Sequence, residues 1–320
     1  MKKLVAVLAM VLAVLALGMA AVAGRLLGQR ARLREAAAAD EKHSINAGGL
    51  ARNYLLHVPA NLPSGKPAPL VLLFHGGGSH DWNMPGFTHF DELADQQNFI
   101  VAYPDAIKGH WNDSRGLADA GADDVAFTRA VIADIEREHS IDARRVYAAG
   151  ISNGGFFSNR LACELGDKIA AIAAIAATMP RTLAADCQPS RPISVLYIQG
   201  TEDPLVPVNG GTIGLVKSRG RGENVSLADA ARFWRDRDGI SAAPQMTDLP
   251  DRFNDGTHVR REIWTGGKDD TEVDVYVIEG GGHTWPGAAQ YLPKAIVGRA
   301  SQNLNATRTL WEFFEGQQLP

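Results

Sequence analysis

The chain reads as an α/β protein built on one mostly parallel sheet covered by helices on both faces. Two observations carry this. From about Leu50 onward, short apolar, β-branched runs alternate with stretches of helical period. Strands fully apolar along their length are those buried on both faces, and a helix between successive strands lets each return parallel to the last. Most of the runs also end on Gly, Pro or Asp, which stop a strand by turning the chain.

The elements follow in order. Lys2 and Lys3 precede an apolar run from Leu4 to Gly24 that closes on Ala20, Ala21, Val22 and Ala23. Charge, apolar stretch and small residues in that order form an export signal, with a cut expected after Ala23. At roughly 20 residues the run could also span a bilayer, and Arg25, Arg30, Arg32 and Arg34 after it favour neither reading. Residues 1–24 are therefore expected to be a signal peptide or a membrane anchor. In both cases the body lies outside the cytoplasm, secreted or periplasmic, and touches a membrane only through this segment. With no cysteine near residue 20, a lipid anchor is excluded. Residues 25–45, rich in Ala and Arg, are expected to form a tether, and 46–320 a single domain.

Within that domain strands are expected at Tyr54–Val58, Leu70–Phe74, Phe99–Tyr103, Arg145–Ala149, Ile193–Gln199 and Val273–Glu279. Asp123 and Asp124 cap a helix in which Phe127, Val131, Ile132 and Ile135 make one buried stripe. Further helices are expected at Gly154–Leu165, Ser226–Asp238 and Asn303–Phe314. The run Ile169–Ala177 is ambiguous in period, and its first half is read as a strand.

Composition narrows the function classes. A chain of 320 residues with 45% hydrophobic and 21% charged residues suits a globule with a sizeable core. Its 32 Lys and Arg against 36 Asp and Glu give a net charge of −4, and no basic run follows the first 35 residues, so nucleic acid is not an expected partner. The two cysteines, Cys163 and Cys187, are too few and too far apart for a zinc knuckle. No metal or other cofactor is expected.

The chemistry concentrates in four loops. Gly150-Ile151-Ser152-Asn153-Gly154 is a GxSxG between an apolar strand and a helix. A turn this tight needs glycines where side chains would collide, lifts the Ser152 hydroxyl above the sheet, and sets it at a helix N-terminus whose amides favour negative charge. A serine hydroxyl needs a base, and the base an orienting carboxylate. In an α/β-hydrolase these follow in the order Ser, acid, His, each after a strand. Asp203 follows Ile193–Gln199, and His283 follows Val273–Glu279 behind three glycines that give it little reason to exist as packing. Glu202 is one residue from Asp203 and rivals it as the acid; Asp105 and Asp113 precede the serine and break the order. His75-Gly76-Gly77-Gly78 closes another strand, and its bare amides suit an oxyanion, with Gly77 and the Asn153 N–H as the expected donors. His75 itself is expected to bond loop carbonyls.

Together these stretches, with Tyr103-Pro104-Asp105, Trp111-Asn112-Asp113, Cys187-Gln188-Pro189-Ser190-Arg191-Pro192, Gly200-Thr201-Glu202-Asp203-Pro204 and Gly280-Gly281-Gly282-His283-Thr284-Trp285, resemble the polyhydroxybutyrate depolymerase and feruloyl esterase group of secreted serine esterases, its LpqC-like branch. The resemblance spans about Leu50 to Phe314. It implies an α/β-hydrolase fold with Ser152, Asp203 and His283 as the triad, and it places Trp111 and Trp285 near the substrate pocket, although both could equally be core residues. It also supports a disulfide between Cys163 and Cys187, which export to an oxidising compartment would permit. Depolymerases of solid polyester resemble a catalytic domain joined to a surface-binding module; here the chain ends at Pro320 just after a helix, so soluble esters or oligoesters are the expected substrates. A serine peptidase of the same fold is the alternative, separable by turnover of amino-acid anilides. A non-catalytic envelope binding protein is disfavoured by filled triad and oxyanion positions. Asn209–Asn224 and Pro244–Gly256 are the expected loops over the site.

Overall fold

A computed structural model describes residue 24 and residues 27–116, 122–215 and 220–320. The expected signal or anchor and its cut lie outside the described residues, among which no helix is long and apolar enough to cross a membrane.

The strands are β1 (Glu41–Ala47), β2 (Leu50–His57), β3 (Ala68–Phe74), β4 (Ile100–Pro104), β5 (Ile141–Ile151), β6 (Ala171–Ile175), β7 (Ser194–Gly200), β8 (Gly211–Thr212), β9 (Glu223–Asn224), β10 (Gln245–Asp248), β11 (His258–Trp264) and β12 (Val273–Glu279). Ten of them form one sheet in the order β1-β2-β4-β3-β5-β6-β7-β12-β11-β10, and β8 pairs with β9 apart from it. The stretch from β4 to β12 is parallel throughout, and the two strands at each flank run antiparallel. All six expected strands and the strand within Ile169–Ala177 are present.

Side chains alternate across a strand, so β3 sends Leu70, Leu72 and Phe74 to one face and Val71 and Leu73 to the other. On the first face the helices Asp124–Glu138, Asn153–Glu164 and Leu227–Asp238 bury Phe127, Phe156 and Trp234. On the second, Phe90–Gln97 and Ala306–Phe314 bury Phe90, Leu310 and Phe314. Caps mark the expected starts: Asp123 accepts the Ala126 N–H, and Ser226 accepts that of Asp229. The last helix begins at Ala306 rather than Asn303, because Asn305 is the residue that caps it.

Residues 25–45 are not a tether where they are described. Residues 27–36 are helical, Ala37 is buried, and the Arg34 guanidinium lies 4.8 Å over the Trp82 ring. Glu41–Ala47 then pairs with Leu50–His57 through a two-residue turn. Gly48 and Gly49 make that turn with φ of 62° and 80°, the left-handed pair whose twist suits a hairpin. The helical residues are mostly exposed and the edge strand buries little, so neither shows an apolar pattern and the stretch reads as a linker. Pro244–Gly256 is a loop only in part: Gln245–Asp248 is the outer strand of the sheet, and residues 249–256 are irregular.

Cys163 and Cys187 form the expected disulfide. It joins the end of the helix Asn153–Glu164 to the segment leading into β7.

Candidate active site

In a parallel sheet all carboxyl ends share one edge, and loops there can bring distant residues together. β3, β5, β7 and β12 deliver the loops carrying Gly77, Ser152, Asp203 and His283 to that edge.

Ser152 sits at the turn from β5 into the helix, with φ of 57° and ψ of −119°. A non-glycine residue in this region is strained, and it holds only where the surroundings dictate it. Here they do. The Ser152 N–H donates to the Ile175 carbonyl at 2.8 Å, and its carbonyl accepts the Phe156 N–H at 2.9 Å. A Cβ on Gly154 would stand 2.2 Å from the Phe74 carbonyl oxygen, and one on Gly150 would stand 2.4 Å from Gly154 itself. Only glycine lets β3, β5 and the helix meet this closely. Ser152 stays half-exposed while Asn153 beside it is buried.

His283 Nδ1 lies 2.8 Å from Asp203 Oδ2. The carboxylate is held from every side: Oδ1 accepts the Leu205 and Val206 N–H groups, each at 2.8 Å, and Oδ2 also accepts from Gln199 Nε2 at 3.2 Å. Both residues are buried, whereas Glu202 is exposed and points elsewhere. The carboxylate fixes the proton on Nδ1 and leaves Nε2, without a partner among the described residues, as the basic atom. The His283 loop is braced in turn: its N–H donates to Val297, and the Tyr291 hydroxyl donates to its carbonyl at 3.0 Å. Burial, and then the charge of Asp203, push the Tyr291 hydroxyl well above its ordinary value, so it stays a donor.

The Gly77 and Asn153 N–H groups have no partner among the described residues, as an oxyanion site requires. His75 is structural. Its ring is fully buried, with Nδ1 2.8 Å from the Gly76 carbonyl and Nε2 accepting the Ala106 N–H at 3.1 Å.

Trp111 and Trp285 do not line a substrate surface. Trp111 is fully buried, stacks on Phe157 and donates its indole N–H to the His75 carbonyl at 3.0 Å. Trp285 is 1% exposed and donates to Thr307 Oγ1 at 3.0 Å. A cavity of about 170 Å³ beside it is bounded by Phe87, Leu93 and Asn305 and by no triad residue. These tryptophans brace loops, since a large ring with its one donor satisfied is worth most in a core.

Side chains outside the triad also hold the site, Arg115 among them with no motif to mark it. Asn153 Oδ1 accepts the Trp111 N–H at 2.8 Å, and its Nδ2 donates to Asp113 Oδ2 at 2.6 Å. Asp113 is buried against Arg115, whose guanidinium reaches the Arg221 carbonyl at 2.9 Å. So the segment leading into β9, within one of the two expected covering loops, is tied to the elbow. Asp113 therefore serves the elbow without serving the base.

Among the described residues, the only grouping of three metal-ligating side chains is Asp40, His57 and Asp91, with ligand atoms within 4.8 Å of one another. His57 pairs with Val101 near the start of β4, so this group lies toward the opposite edge of the sheet from Ser152. Both of its ring nitrogens already face carboxylates, Asp40 at 3.3 Å and Asp95 at 3.0 Å.

Residues 53–180 match the family model described as Esterase PHB depolymerase. The putative esterase NocK of Nocardia uniformis subsp. tsuyamanensis is 31% identical over 280 residues, 84% of this chain and 80% of that one. Feruloyl esterase B of Piromyces equi is 31% identical over 243 residues, which are 72% of this chain and 42% of that protein. The acetyl xylan esterase of Aspergillus awamori has the same fold, with a TM-score of 0.58 at 15% identity over 86% of this chain and 99% of that one.

Proposed function

The chain belongs to the esterase PHB depolymerase family of α/β-hydrolases and hydrolyses carboxylic esters, and from that premise we propose that it works through an acyl-enzyme on Ser152. The observation that carries this reading is the Asp203–His283 pair at 2.8 Å, with Nε2 unpartnered on the sheet edge that also bears Ser152.

His283 Nε2 takes the Ser152 proton as Oγ attacks the ester carbonyl. Asp203 holds the ring and balances the imidazolium that forms. Charge moves to the carbonyl oxygen, which the Gly77 and Asn153 amides meet without reorganising. His283 returns the proton to the departing alcohol, and Ser152 keeps the acyl group. Water then enters, giving its proton to His283 as its oxygen attacks the acyl carbon, and His283 passes that proton to Ser152 Oγ as the acid is released.

The substrates proposed are soluble esters of short acyl or hydroxyacyl groups, with feruloyl and acetyl esters included because a relative named for the first aligns with 72% of this chain and one named for the second with 49% of it. The proposed workplace is outside the cytoplasm, secreted or periplasmic; the Cys163–Cys187 disulfide supports it, since such bonds persist in oxidising compartments.

The test is a panel of p-nitrophenyl, feruloyl, acetyl-sugar and hydroxybutyrate-oligomer esters, run beside organophosphate labelling. Turnover of soluble esters with one label on Ser152 is expected. Labelling of another serine, with Ser152→Ala still active, overturns the assignment.

A further inference from the structure

The imidazole of His110 is packed beside the oxyanion loop. A Cβ placed on Gly77 would stand 3.4 Å from both Cδ2 and Nε2 of His110, and 3.5 Å from the Asn153 Cβ. The ring thus neighbours Gly77, one of the two residues whose amides are assigned to the reacting carbonyl oxygen.

Its position is fixed by the chain on each side of it. The Gly78 N–H donates to the Gly109 carbonyl at 2.8 Å, which ties the turn before His110 to the glycine loop. Asn153 receives the Trp111 N–H at 2.8 Å and returns Nδ2 to the Trp111 carbonyl at 3.1 Å, which ties the residue after it to the elbow. Lys108 and Gly109 hold left-handed φ values of 53° and 72° between those ties.

The ring's own bonding decides what it offers. Nδ1 lies 3.1 Å from the Lys108 carbonyl. A carbonyl only accepts, so Nδ1 carries the hydrogen and the neutral ring presents a lone pair at Nε2. That atom has no hydrogen-bond partner among the described residues, and the side chain is half-exposed. His75, close by, spends both nitrogens on its own loops. An anchored ring with one open acceptor beside an oxyanion loop is placed to read a donor on the substrate.

We propose that His110 is a substrate-contacting residue that selects hydroxyl-bearing esters, its Nε2 accepting a hydrogen bond from a substrate hydroxyl that lies over Gly77. The inference rests on the assignment of Ser152 and Gly77 above. The hydroxyl can belong to the acyl part or to the alcohol part, and matched substrates separate the two.

The experiment measures kcat/KM for methyl 3-hydroxybutyrate against methyl butyrate, and for 2-hydroxyethyl acetate against ethyl acetate. The proteins compared are wild type, His110→Phe and His110→Gln. In His110→Phe the preference for the hydroxylated member is expected to fall roughly tenfold in one of the two pairs, mainly through KM, as for one lost hydrogen bond. The pair affected says which part carries the hydroxyl. His110→Gln, which keeps an acceptor, restores part of the preference. A merely structural role lowers both members of each pair together, and unchanged ratios in both pairs overturn the proposal. Activity that persists in Ser152→Ala would sink the serine mechanism instead, so the two failures are told apart.

Discussion

Of the histidines that face aspartates in this molecule, His283 and His57 are built for opposite ends. His283 touches one carboxylate, through Nδ1, and that carboxylate is already saturated by two backbone amides and Gln199. His57 lies between Asp40, Asp91 and Asp95, with a carboxylate at each ring nitrogen. The first arrangement fixes a tautomer and leaves an atom free to take a proton. The second favours a permanently charged ring, which clamps β2 to the helix Phe90–Gln97 and to the start of β1. What separates a base from a structural cation is how many of its nitrogens are spoken for, since each ring has a carboxylate at Nδ1.

The sharpest way to break this contrast is to remove the groups at the free atom. Ser152→Ala should lower kcat by roughly 10³–10⁶ with the far-UV circular dichroism unchanged. His57→Ala should leave turnover intact at temperatures where it stays folded. Comparable activity losses in the two would erase the distinction.

Next in size is the orienting carboxylate. Asp203→Asn keeps an acceptor for the Leu205 and Val206 amides but can no longer hold the Nδ1 proton, so kcat should fall by roughly 10⁴. A loss of less than tenfold would mean that the ring is held by its loop alone.

The contrast also depends on keeping the Ser152 helix and the Asp203 strand in one frame, and the disulfide closes a 24-residue loop between them. Replacing both cysteines by Ala should cost about 3 kcal/mol, read as a fall in Tm of several degrees, with kcat at 25 °C little altered. An unchanged Tm would assign the frame to packing alone.

The smallest effect tests the charged histidine. Burial by itself would lower the His57 pKa, but the bond to Asp40, then the charges of Asp91 and Asp95, hold it up at about 9, against an ordinary 6.5. The folded state therefore binds this proton more tightly than the unfolded one. Its stabilisation is complete below about pH 6.5 and fades as pH rises through 9. Tm should decline over that window more steeply in wild type than in His57→Gln; parallel curves would show that the ring is not charged in the fold.

The sequence made the parallel core and the catalytic loops readable because both obey local rules. β3 is apolar along its whole length and β7 from Val195 to Ile198, and steric necessity writes Gly150 and Gly154 around Ser152. Choosing between Asp203 and Glu202 needed the backbone, which shows the two Asp203-binding amides. β1 and β10 at the sheet's edges, and β11 beside β10, left little trace, since these flanking strands bury one face at most and their polar positions read as loops. Trp111 and Trp285 were misplaced for a related reason: a tryptophan near a motif can face the pocket or prop the loop behind it, and spacing does not say which. His110 carried no signal of its own, because its neighbour Gly77 is distant in the chain and the turn joining them depends on the left-handed Lys108.

Ser152 holds its hydroxyl forward only by occupying a backbone shape that side chains resist, at a cost of roughly 1–3 kcal/mol. Glycine would take that shape freely. Directed evolution of this enzyme for heat resistance alone would thus draw position 152 toward glycine and select a sturdier protein that no longer hydrolyses anything. A thermostabilisation campaign has to screen for turnover in every round, and take its gains from positions well away from the elbow.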